Sequence, residues 1–269
     1  MPYLQQAITI AIEAGEILSR YFRSAVAAKI TLKTDKSPVT QADIEANHFI
    51  TEQLKKCDSS IPILTEENSI PDYSIRQQWK TYWLIDPLDG TRGFINHSPE
   101  FCVNIALIEN HQPILGVIYS PVDKHCYYAA KNQGAYLLKN NEHQKIIVAK
   151  TAAKPLRFLC GHFDHRHPLK KTLQPIFKNA QITRMNSALK FGVIACGAAD
   201  LYVRFGQTSE WDTAAGQCIV EEAGGIVVDF HGQPLQYNAK SSLINPAFIA
   251  LGDVSQCDHY LKLVCDKII

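Results

Sequence analysis

Asp86 and Asp89 stand three apart in LIDPLDGTRGF (84–94), directly behind the apolar run Trp83-Leu84-Ile85. Pro87 lies between them, and Gly90-Thr91 follow. Alone, the segment reads equally well as a turn whose aspartates bond their own backbone. Two further acidic places bear on it. Glu66 follows Pro62-Ile63-Leu64 in Thr65-Glu66-Glu67-Asn68, where a solvated acidic pair would be the ordinary reading. Asp212 opens a predicted helix in WDTAAG (211–216), where an N-cap role would suffice. Ala214, Ala215 and Gly216 leave the first turn of that helix almost bare, a surface that an anion could approach.

Taken together the four acids suggest one chemistry. Like charges crowd only where cations neutralise them. Glu66, Asp86, Asp89 and Asp212 plus a backbone carbonyl, with no His or Cys among them, form a hard oxygen set that suits Mg²⁺. Two such ions about 3.5–4 Å apart would balance the charge and clamp a phosphoryl group in line. Pro87 would fix the loop so that a carbonyl faces the metal. Gly90 would let the backbone come close to a phosphate. Thr91 would set a hydroxyl beside the attacking water. A calcium EF-hand is excluded, because no twelve-residue acidic spacing surrounds Asp86.

The elements that must carry these residues follow from periodicity. Leu4, Ala7, Ile8, Ala11, Ile12, Gly15, Leu18 and Phe22 predict an amphipathic helix over 3–23. Thr40-Gln41-Ala42-Asp43 has the form of a capping box opening a helix near 40–56. Strands are predicted at 62–64 and 81–86, each ending at acids. FCVNIALI (101–108) with PILGVIYS (113–120), and HCYYAA (125–130) with GAYLL (134–138), read as two hairpins. After Ala149-Lys150-Thr151 the pattern changes. LRFLC, a helix near 168–179, QITRM, a helix near 187–197, DLYVRF, a helix near 211–223, IVVDF and a C-terminal helix alternate, which argues α/β layering. The expected division is an α+β half over 1–152, with most metal ligands, and an α/β half over 153–269 with Asp212.

Composition sets outer limits. With 46% apolar and 20% charged residues, the chain has an ordinary soluble makeup. A formal net charge of +1 offers no global field for nucleic acid or anionic lipid. No uncharged apolar run reaches the roughly 18 residues of a transmembrane helix, and the N-terminal stretch is not a signal peptide, because it lacks a basic n-region and carries Glu13 and Glu16. The eight cysteines are scattered without CxxC, which fits thiols in a reducing cytoplasm.

PVTQAD (38–43), EE (66–67), DPLDGT (86–91) and WDTAAG (211–216), in this order, resemble the inositol monophosphatase superfamily of lithium-sensitive, Mg²⁺-dependent phosphomonoesterases. LIDPLDGT, EFCVNIALI, SALKF and LYVRFG bring the likeness nearest to its bacterial 3'(2'),5'-bisphosphate nucleotidases. The resemblance implies a layered αβαβα sandwich with the site between the halves. It implies that Glu66, Asp86 and the Leu88 carbonyl hold one Mg²⁺ and that Asp86, Asp89 and Asp212 hold a second, with two or three ions in all. Thr91, paired with Asp43, would orient and activate the water. Asp43 could equally be only the capping-box acid, and the two roles are compatible. Thr65 departs from the Gly or Ser common at that position and touches no ligand.

For the substrate, Glu66, Leu88, Asp89, Gly90, Thr91 and Asp212 would surround the reacting phosphate. Ser187, Lys190 and Arg204 match family positions that hold the nucleotide and its second phosphate. A bisphosphate needs cations beyond the metal centre, which Lys and Arg supply, although either alone would read as a solvated surface residue. His162, His165 and His167 form a run better read as a surface loop than a metal tract, and His165 alone matches a family contact. The implied reaction is hydrolysis of adenosine 3',5'-bisphosphate to AMP and phosphate, clearing a by-product of sulfate assimilation. Li⁺ would inhibit, and the site would be cytoplasmic, with a peripheral place at the inner membrane suggested by some relatives. The alternatives are an inositol or sugar phosphatase with the same metal site, and a catalytically silent binder. The second is disfavoured because a binder needs no Thr91–Asp43 pair.

Overall fold

The computed structural model describes residues 2–24, 30–32, 38–161 and 178–265. Helix α1 (Leu4–Arg23) buries Ala7, Ile8, Ala11, Ala14 and Leu18, the stripe its sequence announced. Helix α2 (Gln41–Cys57) buries Ala42, Ala46, Ile50 and Leu54. Its N-terminus is the expected capping box. The Thr40 hydroxyl accepts from the Ala42 N–H at 3.2 Å, and the Asp43 carboxylate accepts from the Thr40 N–H at 2.8 Å. A short antiparallel pair, β1 (Ile30–Leu32) with β2 (Pro38–Thr40), precedes it.

Both helices cover one face of a seven-stranded sheet. Its strands are β3 (Ile63–Thr65), β4 (Thr81–Asp89), β5 (Cys102–Glu109), β6 (Gln112–Ser120), β7 (His125–Ala130), β8 (Gly134–Lys139) and β9 (Glu142–Ile146), in that spatial order. Only β3 and β4 run parallel. That arrangement brings the ends of β3 and β4 to one sheet edge, with Glu66 beside Asp86. The opposite face packs on helices Leu189–Ala195 and Ala214–Glu222. Those helices in turn cover a five-stranded sheet of β10 (Arg157–Cys160), β11 (Gln181–Arg184), β12 (Leu201–Arg204), β13 (Ile226–Asp229) and β14 (Phe248–Leu251), ordered β11-β10-β12-β14-β13. The helix Cys257–Cys265 closes the far side, with Tyr260 and Val264 among Phe158, Leu201, Val203 and Ile249. The result is the expected αβαβα sandwich.

Several boundaries differ from the sequence reading, each for a local reason. The strand expected over 81–86 continues to Asp89, because its register against β5 shifts between Asp86 and Asp89 and absorbs Pro87-Leu88 as a bulge. The helix expected from 187 begins at Leu189, since Ser187 has φ 57° and cannot be helical. The helix expected over 211–223 is a 3₁₀ turn, Glu210–Asp212, followed by Ala214–Glu222. Strand β9 was not foreseen because Glu142, His143, Gln144 and Lys145 are exposed and lack alternation. The helix near 168–179 falls largely, and His162, His165 and His167 wholly, outside the described residues.

We keep the division at 152/153 as a proposal: one sheet lies within residues 63–146 and the other within 157–251. A single apolar cluster nevertheless draws Leu64, Ile108 and Ile118 from one side and Phe191, Ile219 and Val227 from the other.

Candidate active site

Glu66, Asp86 and Asp212 each offer a carboxylate oxygen, and the three oxygens lie within 4.8 Å of one another. Three elements meet here. Glu66 follows β3, and its N–H donates to the Ile85 carbonyl at 3.2 Å. The segment before it is tied by side chains: Thr65 Oγ1 donates to Asn47 Oδ1, and Asn47 Nδ2 to Asn68 Oδ1, each at 2.8 Å. Asp86 sits on the β4 bulge, 1% exposed, with one oxygen accepting from the Leu88 N–H at 3.0 Å. Asp212 closes the 3₁₀ turn, and its Oδ2 accepts from the Ser209 N–H at 2.8 Å.

Burial pushes the Asp86 carboxyl well above its ordinary range, and the charges of Glu66, Asp89 and Asp212 push it further. Asp212 is raised by burial, then by Asp89 and Glu66, against the opposing pull of Arg204. A cluster built only of hard oxygens, in which burial first and neighbouring charge second raise Asp86 and Asp212, fits a divalent cation of the Mg²⁺ type.

Asp89 stands beside this triad rather than within it. Its Oδ2 accepts from the Ala188 N–H and from Asn104 Nδ2, the latter at 3.4 Å. Burial raises its carboxyl, and the Lys190 charge is the largest counterweight. Sequence reading missed Asn104, yet it is the lone amide in the apolar run FCVNIALI, and that is the signal that could have found it.

Asp43 and Thr91 do meet. Asp43 Oδ1 lies 3.3 Å from Thr91 Oγ1, while its Oδ2 caps α2 through the Thr40 N–H and hydroxyl. The capping and pairing roles therefore use different oxygens. Thr91 Oγ1 also lies 3.1 Å from the Leu88 carbonyl, so its single proton has two alternative acceptors. Burial raises the Asp43 carboxyl, its bonds from Thr40 lower it, and Glu66 adds a smaller upward push. Gly90 has φ 97°, and a Cβ there would fall 2.9 Å from the Glu100 carbonyl. The turn itself thus demands glycine, whatever approaches it.

Two of the expected features make packing contacts that the sequence did not show. The bare first turn of helix Ala214–Glu222 is consumed in packing. A Cβ on Gly216 would fall 2.3 Å from the Phe191 ring, and one on Gly116 of β6 would fall 2.4 Å from the Ala215 carbonyl. Close helix–helix contact at Gly216 and helix–sheet contact at Ala215 account for those small residues. Lys190, expected to contact the second phosphate of the substrate, is 4% exposed. Its ammonium donates to the Met185 carbonyl at 3.1 Å and the Ser187 carbonyl at 2.5 Å, and lies 5.1 Å from the Tyr202 ring centroid. It lies under the 185–188 loop whose Ala188 N–H holds Asp89. Arg204 donates from Nε to the Gly206 carbonyl at 3.2 Å and from Nη2 to the Gln207 carbonyl at 3.3 Å.

A five-layer sandwich with an acidic cluster where the ends of β3 and β4 meet the turn that carries Asp212 defines a class of metal-dependent phosphatases. Residues 1–258 match the inositol monophosphatase family, and the chain belongs to that family. It is 38% identical over 253 residues to the 3'(2'),5'-bisphosphate nucleotidase CysQ of Haemophilus influenzae, covering 94% of this chain and 93% of that one. It is 43% identical over 246 residues to the CysQ of Salmonella typhimurium, covering 91% and 98%. Among solved structures, CysQ from Bacteroides thetaiotaomicron superposes with a TM-score of 0.80 at 33% identity, covering 93% of this chain and 98% of that one. The Thermotoga maritima IMPase superposes at 0.83 with 27% identity, covering 100% and 98%.

Proposed function

We propose that this chain is a Mg²⁺-dependent 3'(2'),5'-bisphosphate nucleotidase that converts adenosine 3',5'-bisphosphate to AMP and phosphate. The observation that carries the reading is the Glu66–Asp86–Asp212 cluster, built around the buried Asp86, beside the Thr91–Asp43 pair. The shared identity with CysQ proteins over most of both chains supports the substrate class.

Glu66, Asp86, the Leu88 carbonyl, Asp89 and Asp212 are the proposed ligands of two or three Mg²⁺. Bound there, Mg²⁺ supplies positive charge against the negative charge that develops on the phosphoryl oxygens. The chain's own groups handle the water. With the Thr91 hydroxyl donating to Asp43 Oδ1, the Thr91 oxygen would take a proton from the attacking water as its own proton passes to the Asp43 carboxylate. The same choice frees the Leu88 carbonyl from Thr91. Gly90 and Thr91 would border the reacting phosphate, while Ser187, Lys190 and Arg204 would serve the nucleotide side, Lys190 through the loop it supports.

Competition by Li⁺ for a Mg²⁺ position is part of the proposal, as is a role in sulfur metabolism. So is a cytoplasmic place, which the eight free thiols support. No helix among the described residues is long and apolar enough to cross a membrane. Phosphate release by metal-stripped protein, with and without added Mg²⁺, tests the reading.

A further inference from the structure

Glu66 follows β3 and Asp86 lies on β4, whereas Asp212 arrives on the 3₁₀ turn that leads into helix Ala214–Glu222 and packs against β4 and β5. Something must fix that turn to β4, because a shift of about 1 Å between ligands is enough to spoil a preorganised site. Two elements approach each other just behind the triad. The connection between β3 and β4 carries Arg76, 2% exposed, and the turn that ends at Asp212 begins with Glu210, 1% exposed.

Asn238 joins them. It is fully buried, and it holds φ 54°, a backbone conformation that asparagine tolerates better than most residues. Its N–H donates to Glu210 Oε2 at 2.7 Å, its Oδ1 accepts from Arg76 Nη1, and its Nδ2 donates to the Arg76 carbonyl. Arg76 also donates to the carbonyls of Lys240 and Ser241. The same loop is tied to the β5–β6 hairpin, since the Tyr237 N–H donates to the His111 carbonyl at 3.1 Å.

Three polar atoms around this junction have no hydrogen-bond partner among the described residues: Arg76 Nε, Glu210 Oε1 and the Tyr82 hydroxyl. They are a donor, an acceptor and a group that is both. Tyr82 lies on β4 close enough to feel the charges of Glu210 and Arg76. Buried polar atoms are almost always satisfied, and one water with two to four polar neighbours is the usual means. A buried polar network of this kind is weak evidence for stability, since apolar residues of similar volume often serve as well. What it adds is a single geometry.

We propose that Arg76, Asn238 and Glu210, joined through one internal water to the Tyr82 hydroxyl, form a buried clamp that positions Asp212 against Glu66 and Asp86 for metal binding. None of these four residues is a ligand or touches substrate; they are positioning residues. The inference rests on the metal-centre reading above.

Calorimetric titration of Mg²⁺ into metal-free, substrate-free protein separates the two. If the parent binds no Mg²⁺, the metal-centre reading itself fails. With the parent binding, Arg76→Met is expected to weaken Mg²⁺ affinity by about tenfold or more, the size seen when outer-shell partners of metal ligands are lost. The KM for adenosine 3',5'-bisphosphate at saturating Mg²⁺ should stay unchanged. Ile8→Val, in the remote core of α1, serves as a control for general loss of stability and should leave Mg²⁺ affinity unchanged. Should Arg76→Met fail to fold, Arg76→Met/Glu210→Gln leaves no unpaired buried charge and carries the same expectation. Tyr82→Phe tests the water and folds in any case. Loss of a bridged hydroxyl lowers Tm and weakens Mg²⁺ binding, whereas loss of an unpartnered one raises Tm. Mg²⁺ affinity equal to the parent's in the Arg76 variants, or a raised Tm in Tyr82→Phe with unchanged affinity, overturns the clamp.

Discussion

Thr91 and Asp43 lie 48 residues apart in sequence, yet Thr91 Oγ1 sits 3.3 Å from Asp43 Oδ1. The contact is possible because the capping box of α2 occupies only the other carboxylate oxygen. Helix capping thereby aims the second carboxylate oxygen at the residue that follows the β4 bulge.

The first expectation concerns this pair. Thr91→Ala removes the hydroxyl proposed to relay the water's proton and should lower kcat by roughly a hundredfold to ten-thousandfold, the usual range for general acid–base groups. Thr91→Ser keeps the hydroxyl and should retain most activity. Steady-state kinetics of both variants check it. Equal losses would mean that the methyl group, not the relay, matters.

Asp89 gives the second. Asp89→Asn preserves an acceptor for the Ala188 N–H and Asn104 but removes one negative charge from the centre. Activity should fall at least about a hundredfold, since electrostatic stabilisation dominates such reactions. The fold should persist, because buried like charges become fewer. Circular dichroism and turnover at moderate Mg²⁺ are the measurements, and near-normal turnover would remove Asp89 from the metal centre.

Lys190 and Arg204 should separate. Lys190 holds the loop that holds Asp89, so Lys190→Ala should depress turnover of adenosine 3',5'-bisphosphate and of inositol 1-phosphate together. Arg204→Ala should lower kcat/KM for the bisphosphate by roughly ten- to a hundredfold, the worth of one bond to a charged group. Inositol 1-phosphate has no second phosphate and should be unaffected by that change. A Lys190 effect confined to the bisphosphate would return Lys190 to direct substrate contact.

Glu221 supplies a pH dependence remote from the metal ligands. Burial pushes its carboxyl up to about 7 from 4.5, opposed by the bond from Gln217 Nε2 at 2.9 Å. A raised carboxyl pKa gives stability that is complete below the unfolded value and declines as pH rises from about 4.5 to about 7. Glu221→Gln keeps the bond and removes the ionisation. It should match the parent's Tm near pH 5 and exceed it at pH 8 by a few degrees, corresponding to about 1–3 kcal/mol. An equal offset at both pH values would contradict the assignment.

Much of this was legible in the sequence because it was local. The α1 stripe, the Thr40–Asp43 box and the hairpin strands follow from periodicities of 3.6 and 2 and from capping chemistry. The four acids announced themselves by type and by place at strand or helix ends. What was hidden depends on contacts distant in sequence. The β4 bulge is visible only against β5, and the service of Ala214–Gly216 in packing only against Phe191 and Gly116. The enclosure of Lys190 was hidden because nothing in SALKF shows that Tyr202 and two carbonyls surround it. Arg76 and Asn238, 162 residues apart, carried no sequence signal of pairing at all.

The most direct test of the account is phosphate release by metal-stripped protein from a paired set, adenosine 3',5'-bisphosphate and inositol 1-phosphate, with and without added Mg²⁺. The expected result is strictly Mg²⁺-dependent release of one phosphate from the nucleotide, leaving AMP, with kcat/KM at least about a hundredfold above that for inositol 1-phosphate, as two or more charged contacts to a second phosphate would give. Release independent of Mg²⁺, or a preference for inositol 1-phosphate, would contradict it.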